Sequence, residues 1–400
     1  MDIRSNEPYW LVKNSLGTSY PSLKENLECP IVILGAGITA SLIAYKLVNE
    51  KKKVVILERR DVFNGSSAAS TAMLQYEIDV PLHELIKQIG LTKAVSSYKD
   101  CEQAIFNLEK IVKEIKSECG FQRKNSIYFT TNKKDVQFIK DEFNARKNHG
   151  FDVTFLEQEE LVKLGIPEGL AAIKSKSGAV MDPYKLAKDI LRFSVDKGLV
   201  IYDRTSVESI KHHDDFIELK TEDGNTVKTK QLIHCTGYES VETISENIVE
   251  LKSTYALASE ALSKLPKAFK ENIFWNTDKP YLYFRSTEDN RIIMGGGDEN
   301  FKNAKLRDSL LPKKEKALVK AFNKTFPDIP FALDYSWAGT FGETKDGLPY
   351  MGKPDPLKNE HYVLGYGGNG ITFSVMGMDA IIPSLENEPH RYLEYYKFDR

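Results

Sequence analysis

Ile31–Leu34 is a short apolar run that ends in Gly35-Ala36-Gly37-Ile38-Thr39-Ala40, and an apolar helical pattern then continues to about Asn49. This is a GxGxxA turn between a strand and a helix. Gly35 permits the tight turn, Gly37 lets the backbone approach a pyrophosphate, and Ala40 lets the helix lie close to the strand. Ile38 and Thr39 open the helix, whose N-terminus favours an anion. A second strand, Lys53–Leu57, runs into Glu58. That acid lies about 20 residues past the glycines, where it suits a ribose diol and repels a 2′-phosphate. NADP is therefore disfavoured, although Arg59 and Arg60 follow. Strand, turn, helix, strand and acid in register predict a bound dinucleotide without choosing which one.

Three other stretches carry groups that could do chemistry. Arg59–Thr71 (RRDVFNGSSAAST) offers the hydroxyls of Ser66, Ser67, Ser70 and Thr71 and backbone N–H groups up to Ala72, close to where a diphosphate would extend. Tyr281, Tyr283 and Arg285 alternate in a strand pattern and so share one face. Late in the chain, Lys345 stands in a loop between Trp337 and Gly352, and Gly365–Thr372 (GYGGNGIT) opens a helix.

The elements that must position these groups can be read from periodicity and punctuation. Asp79–Ile89 and Cys101–Glu118 have apolar residues at helical spacing. Ser126–Thr131 reads as a strand and Asp135–Asn148 as a surface helix. Asp182-Pro183 provides an N-cap and a first-turn proline for a helix to about Lys197. Short strands follow at Leu199–Tyr202, Val207–Lys211, Phe216–Thr221 and Thr226–Lys230, and Gln231–Cys235 runs into Thr236-Gly237. Leu251–Asp298 is strand-rich up to a Gly295-Gly296-Gly297 stop, a helix covers Lys313–Thr325, and Trp337–Gly352 is a glycine-rich loop. The predicted fold class is α/β (α+β overall), a Rossmann-like cofactor-binding domain with an interleaved antiparallel-sheet substrate domain. The expected division gives residues 1–100, 171–250 and 331–400 to the first and 101–170 and 251–330 to the second.

Composition bounds the partners. The chain has 400 residues, 41% of them hydrophobic, and a formal net charge of −2 without a basic stripe, which argues against nucleic acid. Cys29, Cys101, Cys119 and Cys235 form no CxxC pair and no zinc-spaced cluster, so no metal site is expected and the thiols read as reduced and cytoplasmic. The N-terminus lacks an apolar secretory core. Cys29–Val48 is long enough to span a membrane, but Pro30, Gly35 and Gly37 punctuate it as strand–turn–helix.

Further motifs run in a fixed order through most of the chain: Pro8-Tyr9-Trp10, Tyr20-Pro21-Ser22-Leu23, Gly65–Ala72, Met181-Asp182-Pro183 and Cys235-Thr236-Gly237. Tyr281–Arg285, Gly295-Gly296, Trp337–Thr340, Asp346–Pro349 with Gly352, and Gly365–Thr372 complete the series. In these the chain resembles the D-amino-acid oxidase-type family of FAD-dependent oxidoreductases, which includes glycine oxidase and sarcosine oxidase. Within it, the likeness is to bacterial members similar to gamma-glutamylputrescine oxidoreductase. The resemblance implies FAD as the dinucleotide, with Val207, Thr236, Gly237 and Gly339 joining the contacts already named. It puts Gly367, Gly368, Asn369, Gly370, Ile371 and Thr372 at the flavin pyrimidine edge, where N–H groups at a helix N-terminus would stabilise negative charge on the reduced ring. Positions that carry a covalent flavin link in some relatives are Ala69 here, or lack a cysteine, so non-covalent FAD is expected.

The implied reaction transfers a hydride from the carbon next to an amine nitrogen to flavin N5, with oxygen or another electron acceptor closing the cycle. Two arginines that grip the substrate carboxylate in glycine oxidase correspond to Phe341 and Gly368, which removes that recognition. Arg285 is the best replacement cation and Lys345 the second, with Tyr281 and Tyr283 beside them and Gln75 and Tyr76 within possible reach. The lysine that promotes oxygen reaction in sarcosine oxidase corresponds to Ile293, so oxidase and dehydrogenase both stay open. A non-enzymatic flavin-binding module and an NAD-dependent dehydrogenase are the competing readings.

Overall fold

The computed structural model describes residues 2–5, 7–15, 19–244, 248–364 and 367–400. Gly365 and Tyr366, at the head of the final glycine-rich stretch, lie outside the described residues. The βαβ unit forms as the sequence predicts: strands Ile31–Leu34 and Val54–Leu57 flank the helix Ile38–Asn49. Every residue of both strands is buried, as central parallel strands covered on two faces require. They lie in a six-stranded sheet ordered Tyr350–Gly352, Glu360–Leu364, Gln231–His234, Ile31–Leu34, Val54–Leu57, Val200–Tyr202. Only the Tyr350–Gly352 edge is antiparallel.

Helix Ile38–Asn49 packs against Pro183–Asp196 and Gly370–Glu386 on one face of that sheet. The opposite face is closed by a four-stranded sheet, through Ile217, Leu219 and Val227 against Val32, Leu34, Val55 and Leu57. Helix Pro183–Asp196 begins where its cap predicts: the Asp182 carboxylate accepts from Lys185 N at 2.9 Å, with Pro183 in the first turn.

The remaining strands form a nine-stranded sheet. Its main path runs Leu333–Glu343, Glu250–Ser259, Ile292–Asn300, Leu282–Ser286, Asn272–Asn276, Gln122–Thr130, Ala171–Val180, Met73–Leu74, with Val153–Glu157 paired on Ala171–Val180. It is antiparallel except where Asn272–Asn276 runs parallel to Gln122–Thr130. Alternation sorts its side chains. Tyr255, Leu257, Phe284 and Met294 pack under the helix Ala304–Thr325, while Ala256, Ala258 and Ile293 face the cofactor-binding side.

Several local readings need correction. The boundaries at 171 and 331 leave Ala171–Val180 and Leu333–Glu343 with the cofactor segments, yet both strands are hydrogen-bonded into the nine-stranded sheet. Trp337–Glu343 is strand rather than loop, because Glu250–Ser259 pairs with it along its length. Gly295-Gly296-Gly297 does not stop its strand, which continues to Asn300. The helix read from Lys313 starts at Ala304 and passes through Pro312, capped by the Asn303 side chain on Leu306 N. Val136–Asn148 is not only a surface helix, since Glu142 and Arg146 are both fully buried on its inner side.

Candidate active site

A single cavity of about 1350 Å³ runs from the GxGxxA turn to the face of the nine-stranded sheet. Gly35, Gly37, Ile38, Thr39, Glu58 and Arg59 line one end. Gly35 adopts φ +95°, and a methyl group on it would sit 2.5 Å from the Cys235 carbonyl oxygen, so the turn admits only glycine. Glu58 Oε2 accepts from Ala36 N at 2.7 Å and Oε1 from Arg60 N at 2.8 Å, which fixes the carboxylate at the strand end. Burial raises its pKa. Ala40 is the one member of this group that does not line the cavity. It is fully buried and acts by being small where helix meets strand.

The serine-rich segment forms the middle of the wall. Ser66, Ser67, Ser70, Thr71 and Ala72 line it, with Val207, Thr236 and Gly237 across from the first turn. Ser67 Oγ accepts from Ile38 N at 2.9 Å, tying this segment to the helix N-terminus. Ser66 Oγ is buried and lacks a hydrogen-bond partner among the described residues. An orphaned hydroxyl beside a glycine turn and a helix N-terminus fits a phosphate ligand.

Three donors clamp the end of this segment. Trp10 Nε1 reaches the Ser70 carbonyl and Trp337 Nε1 the Ala69 carbonyl, each at 2.8 Å. Arg285 Nη1 donates to the carbonyls of Thr71 and Ala72 at 2.9 Å and of Met181 at 2.8 Å. The clamp holds Ala72 at φ 49°, a left-handed conformation that a residue with a Cβ adopts only when its surroundings impose it. This overturns the substrate role expected of Arg285. It shares a strand face with Tyr283, but its guanidinium is 2% exposed, does not line the cavity, and is spent on main-chain oxygens. Burial lowers its pKa to about 10. Lys345 is also misplaced by the sequence reading: it is exposed on the surface, away from the cavity.

Tyr281 and Tyr283 do face the cavity, their rings 5.8 Å apart and tilted by 45°. Tyr283 lies opposite Gly295 in the register, and a Cβ there would collide with its ring. Burial raises both phenols, Tyr283 to about 12. Gly339, Gly367, Gly368, Asn369, Gly370, Ile371 and Thr372 close this end. Gln75 lines the cavity, whereas Tyr76 is buried behind it, stacked on Phe151 and bonded to Ser175.

Sequence reasoning missed the acids. Asp79 is exposed to the cavity and accepts from Gly368 N at 2.8 Å and from the Tyr281 hydroxyl. Gly368 N–H therefore donates to a carboxylate, where the sequence leads one to expect the flavin edge. Desolvation raises Asp79 to about 6, and Asp298 also rises to about 6, through burial and then the charges of Glu343 and Asp79. The segment carrying Asp79 is rigidly held. Asn369 Nδ2 donates to the carbonyls of Gln75 and Glu77, and the Tyr98 hydroxyl to that of Val80. Behind it, buried Arg146 bonds Glu142 at 2.6 Å and Glu77 at 3.1 Å. Glu142 in turn accepts from Leu82 N and His83 N, capping the next helix. The signal for the acids was weak, because Asp79 and Asp298 lie in unrelated segments that only the fold brings together.

A family model described as DAO, FAD dependent oxidoreductase, matches residues 30–380. Gamma-glutamylputrescine oxidoreductase of Escherichia coli (strain K12) is 23% identical over 408 residues, covering 98% of this chain and 92% of that protein. A Bacillus subtilis (strain 168) protein, YhfW, named for a Rieske 2Fe-2S iron-sulfur centre, is 26% identical over 393 residues, which are 96% of this chain and 74% of that protein. The crystal structure of glycine oxidase from Geobacillus kaustophilus superposes with a TM-score of 0.78 at 17% identity, over 94% of this chain and 99% of that one. The family match spans the dinucleotide turn, the clamped serine segment and the final glycine loop, and the chain belongs to the DAO family of FAD dependent oxidoreductases.

Proposed function

We propose that this enzyme oxidises a small amine or amino-acid-like substrate, taking a hydride from the carbon next to nitrogen. The observation that carries this is the continuity of the cavity: one space joins the dinucleotide turn to the Tyr281–Tyr283 wall and the final glycine loop. FAD, when bound, supplies the hydride acceptor. Gly35, Gly37, Ile38 and Thr39 with Ser66 and Ser67 would hold its phosphates, Glu58 a ribose, and Val207 with Thr236 and Gly237 the adenosine end. The clamped Ser70–Ala72 turn, Gly339 and Gly367–Thr372 would frame the flavin. Tyr281, Tyr283 and Gln75 orient the substrate and exclude water.

FAD binds without a covalent link: Ala69 offers no nucleophile, and Cys29, Cys101 and Cys119 do not line the cavity. Cys235 does line it, beside Gly35, but its thiol is raised by burial and so is kept protonated. No helix among the described residues is long and apolar enough to cross a membrane. Four buried free cysteines accord with a cytoplasmic location. We read the acceptor as oxygen or another electron acceptor, and timing the return of flavin colour in air after reduction decides which. Acid precipitation tests the cofactor reading. The supernatant takes all of the yellow colour if it is right, and colour kept in the pellet contradicts it.

A further inference from the structure

The end of the cavity that receives the substrate has its charge inverted relative to a carboxylate-binding site. A Cβ built on Gly368 would lie 2.6 Å from Asp79 Oδ1 and 3.1 Å from the Tyr281 hydroxyl. The space over the two glycines, which an arginine at this position would need, is therefore filled by a carboxylate. Arg285, the nearest cation on the same strand face, is turned away onto main-chain oxygens.

A second acid enters from another element. Asp298, in the strand Ile292–Asn300, also lines the cavity; the Thr254 hydroxyl bonds its carboxylate, but Oδ1 is buried with no hydrogen-bond partner among the described residues. A buried carboxylate oxygen without a partner is costly unless a ligand completes it. The cations nearby do not supply that partner. Lys252 lies 3.7 Å from Glu343 and bonds Asn300 at 2.8 Å, while Lys314 is spent on the Gly297 carbonyl and Glu299. Tyr281 and Tyr283 line the same cavity within reach of the charges of both acids, and an aromatic ring beside a carboxylate favours a cation over an anion.

We propose that the substrate carries two basic nitrogens and no carboxylate at the reacting end, as in an aliphatic diamine or polyamine, with the reacting nitrogen at Asp79 and the Tyr281 hydroxyl, where its ammonium proton passes to Asp79 before the neighbouring carbon gives up a hydride, and the second, an ammonium, at Asp298. This rests on the amine-oxidising reading above and narrows it.

The test is anaerobic flavin bleaching of the full FAD-loaded chain with terminal diaminobutane, butylamine, glycine and terminal aminobutanoate. Diaminobutane is expected to bleach at about tenfold or more lower concentration than butylamine, the worth of one charge-assisted hydrogen bond, with the two carboxylates weakest. Asp298→Asn should shrink the diamine-to-monoamine preference by about tenfold, and Asp79→Asn should weaken both amines by a similar factor. Each substitution removes a charge at constant shape, and the flavin content and Tm of the variants report folding independently. Preference for glycine or aminobutanoate, or an unchanged diamine preference in Asp298→Asn, overturns the charge assignment alone. If no compound bleaches the flavin and diaminobutane does not perturb its oxidised spectrum, the amine reading falls and the assignment with it.

Discussion

Arg285 and Glu58 show what spacing can and cannot tell about a single residue. Glu58 was legible because the geometry of a βαβ unit fixes the place of a ribose partner, and the structure puts it at the end of Val54–Leu57 beside the glycine turn. Replacing it with Gln should weaken FAD binding by roughly tenfold or more, the loss of a charged acceptor, as read by fluorescence titration of the apo-protein. Arg285 was misread because period-two alternation gives the face of a strand and not the depth of a side chain. Three of its four carbonyl partners lie on segments remote in sequence, so nothing near Arg285 announces them. Arg285→Met should cost about 2–4 kcal/mol of stability in urea unfolding, since buried carbonyls lose their donor. Lys345→Ala should stay within about 0.5 kcal/mol and leave flavin bleaching unaltered, as for a surface site. A large effect of Lys345→Ala on substrate affinity would reverse these two assignments.

The elements that were hard to read are those whose partners are distant. Glycines in Trp337–Glu343 and Gly295–Gly297 look like loop, yet both stretches are strand because Glu250–Ser259 hydrogen-bonds to each of them. There the glycine at 295 serves the Tyr283 ring rather than a turn. Helix Val136–Asn148 carries a charge pattern that reads as surface, while tertiary packing buries Arg146 between Glu142 and Glu77. Arg146→Met should destabilise by about 3–5 kcal/mol by stranding two buried acids, and adding Glu142→Gln should recover part of that loss. Burial alone would raise Glu142, but the Arg146 charge together with the hydrogen bonds from His83 and Leu82 outweighs it and holds the carboxyl down to about 2, against an ordinary 4.5. The unfolded chain therefore takes up a proton first. Stability from this pair is present above about pH 4.5 and lost as pH falls toward 2, which acid titration of the circular dichroism signal would follow.

At the scale of the molecule, the cofactor frame and the fold class were readable because the dinucleotide motif, the turn residues and the order of motifs are local. The interleaving was readable too, but not the strands at which the chain crosses from one sheet to the other. The cavity between the sheets concentrates acids, and this sets a second pH dependence. Asp79 and Asp298 titrate near 6 in the folded chain, above the ordinary carboxylate value of 3.8. Here the folded state binds the extra protons, so their contribution to stability is full below about pH 4 and is lost as pH rises through about 6. Thermal unfolding of the apo-protein should show this decline, and Asp79→Asn should flatten it. Added FAD should raise stability by about 2.7 kcal/mol at a hundredfold excess over its Kd. The claim that joins these observations is that a flavin at the turn and an amine at the tyrosine wall share one cavity. The most direct measurement is the visible spectrum of the FAD-loaded chain, titrated without oxygen with a panel of amines and amino acids. Loss of the oxidised flavin band with at least one amine is the predicted result, and a full complement of FAD that no amine or amino acid reduces would contradict the account.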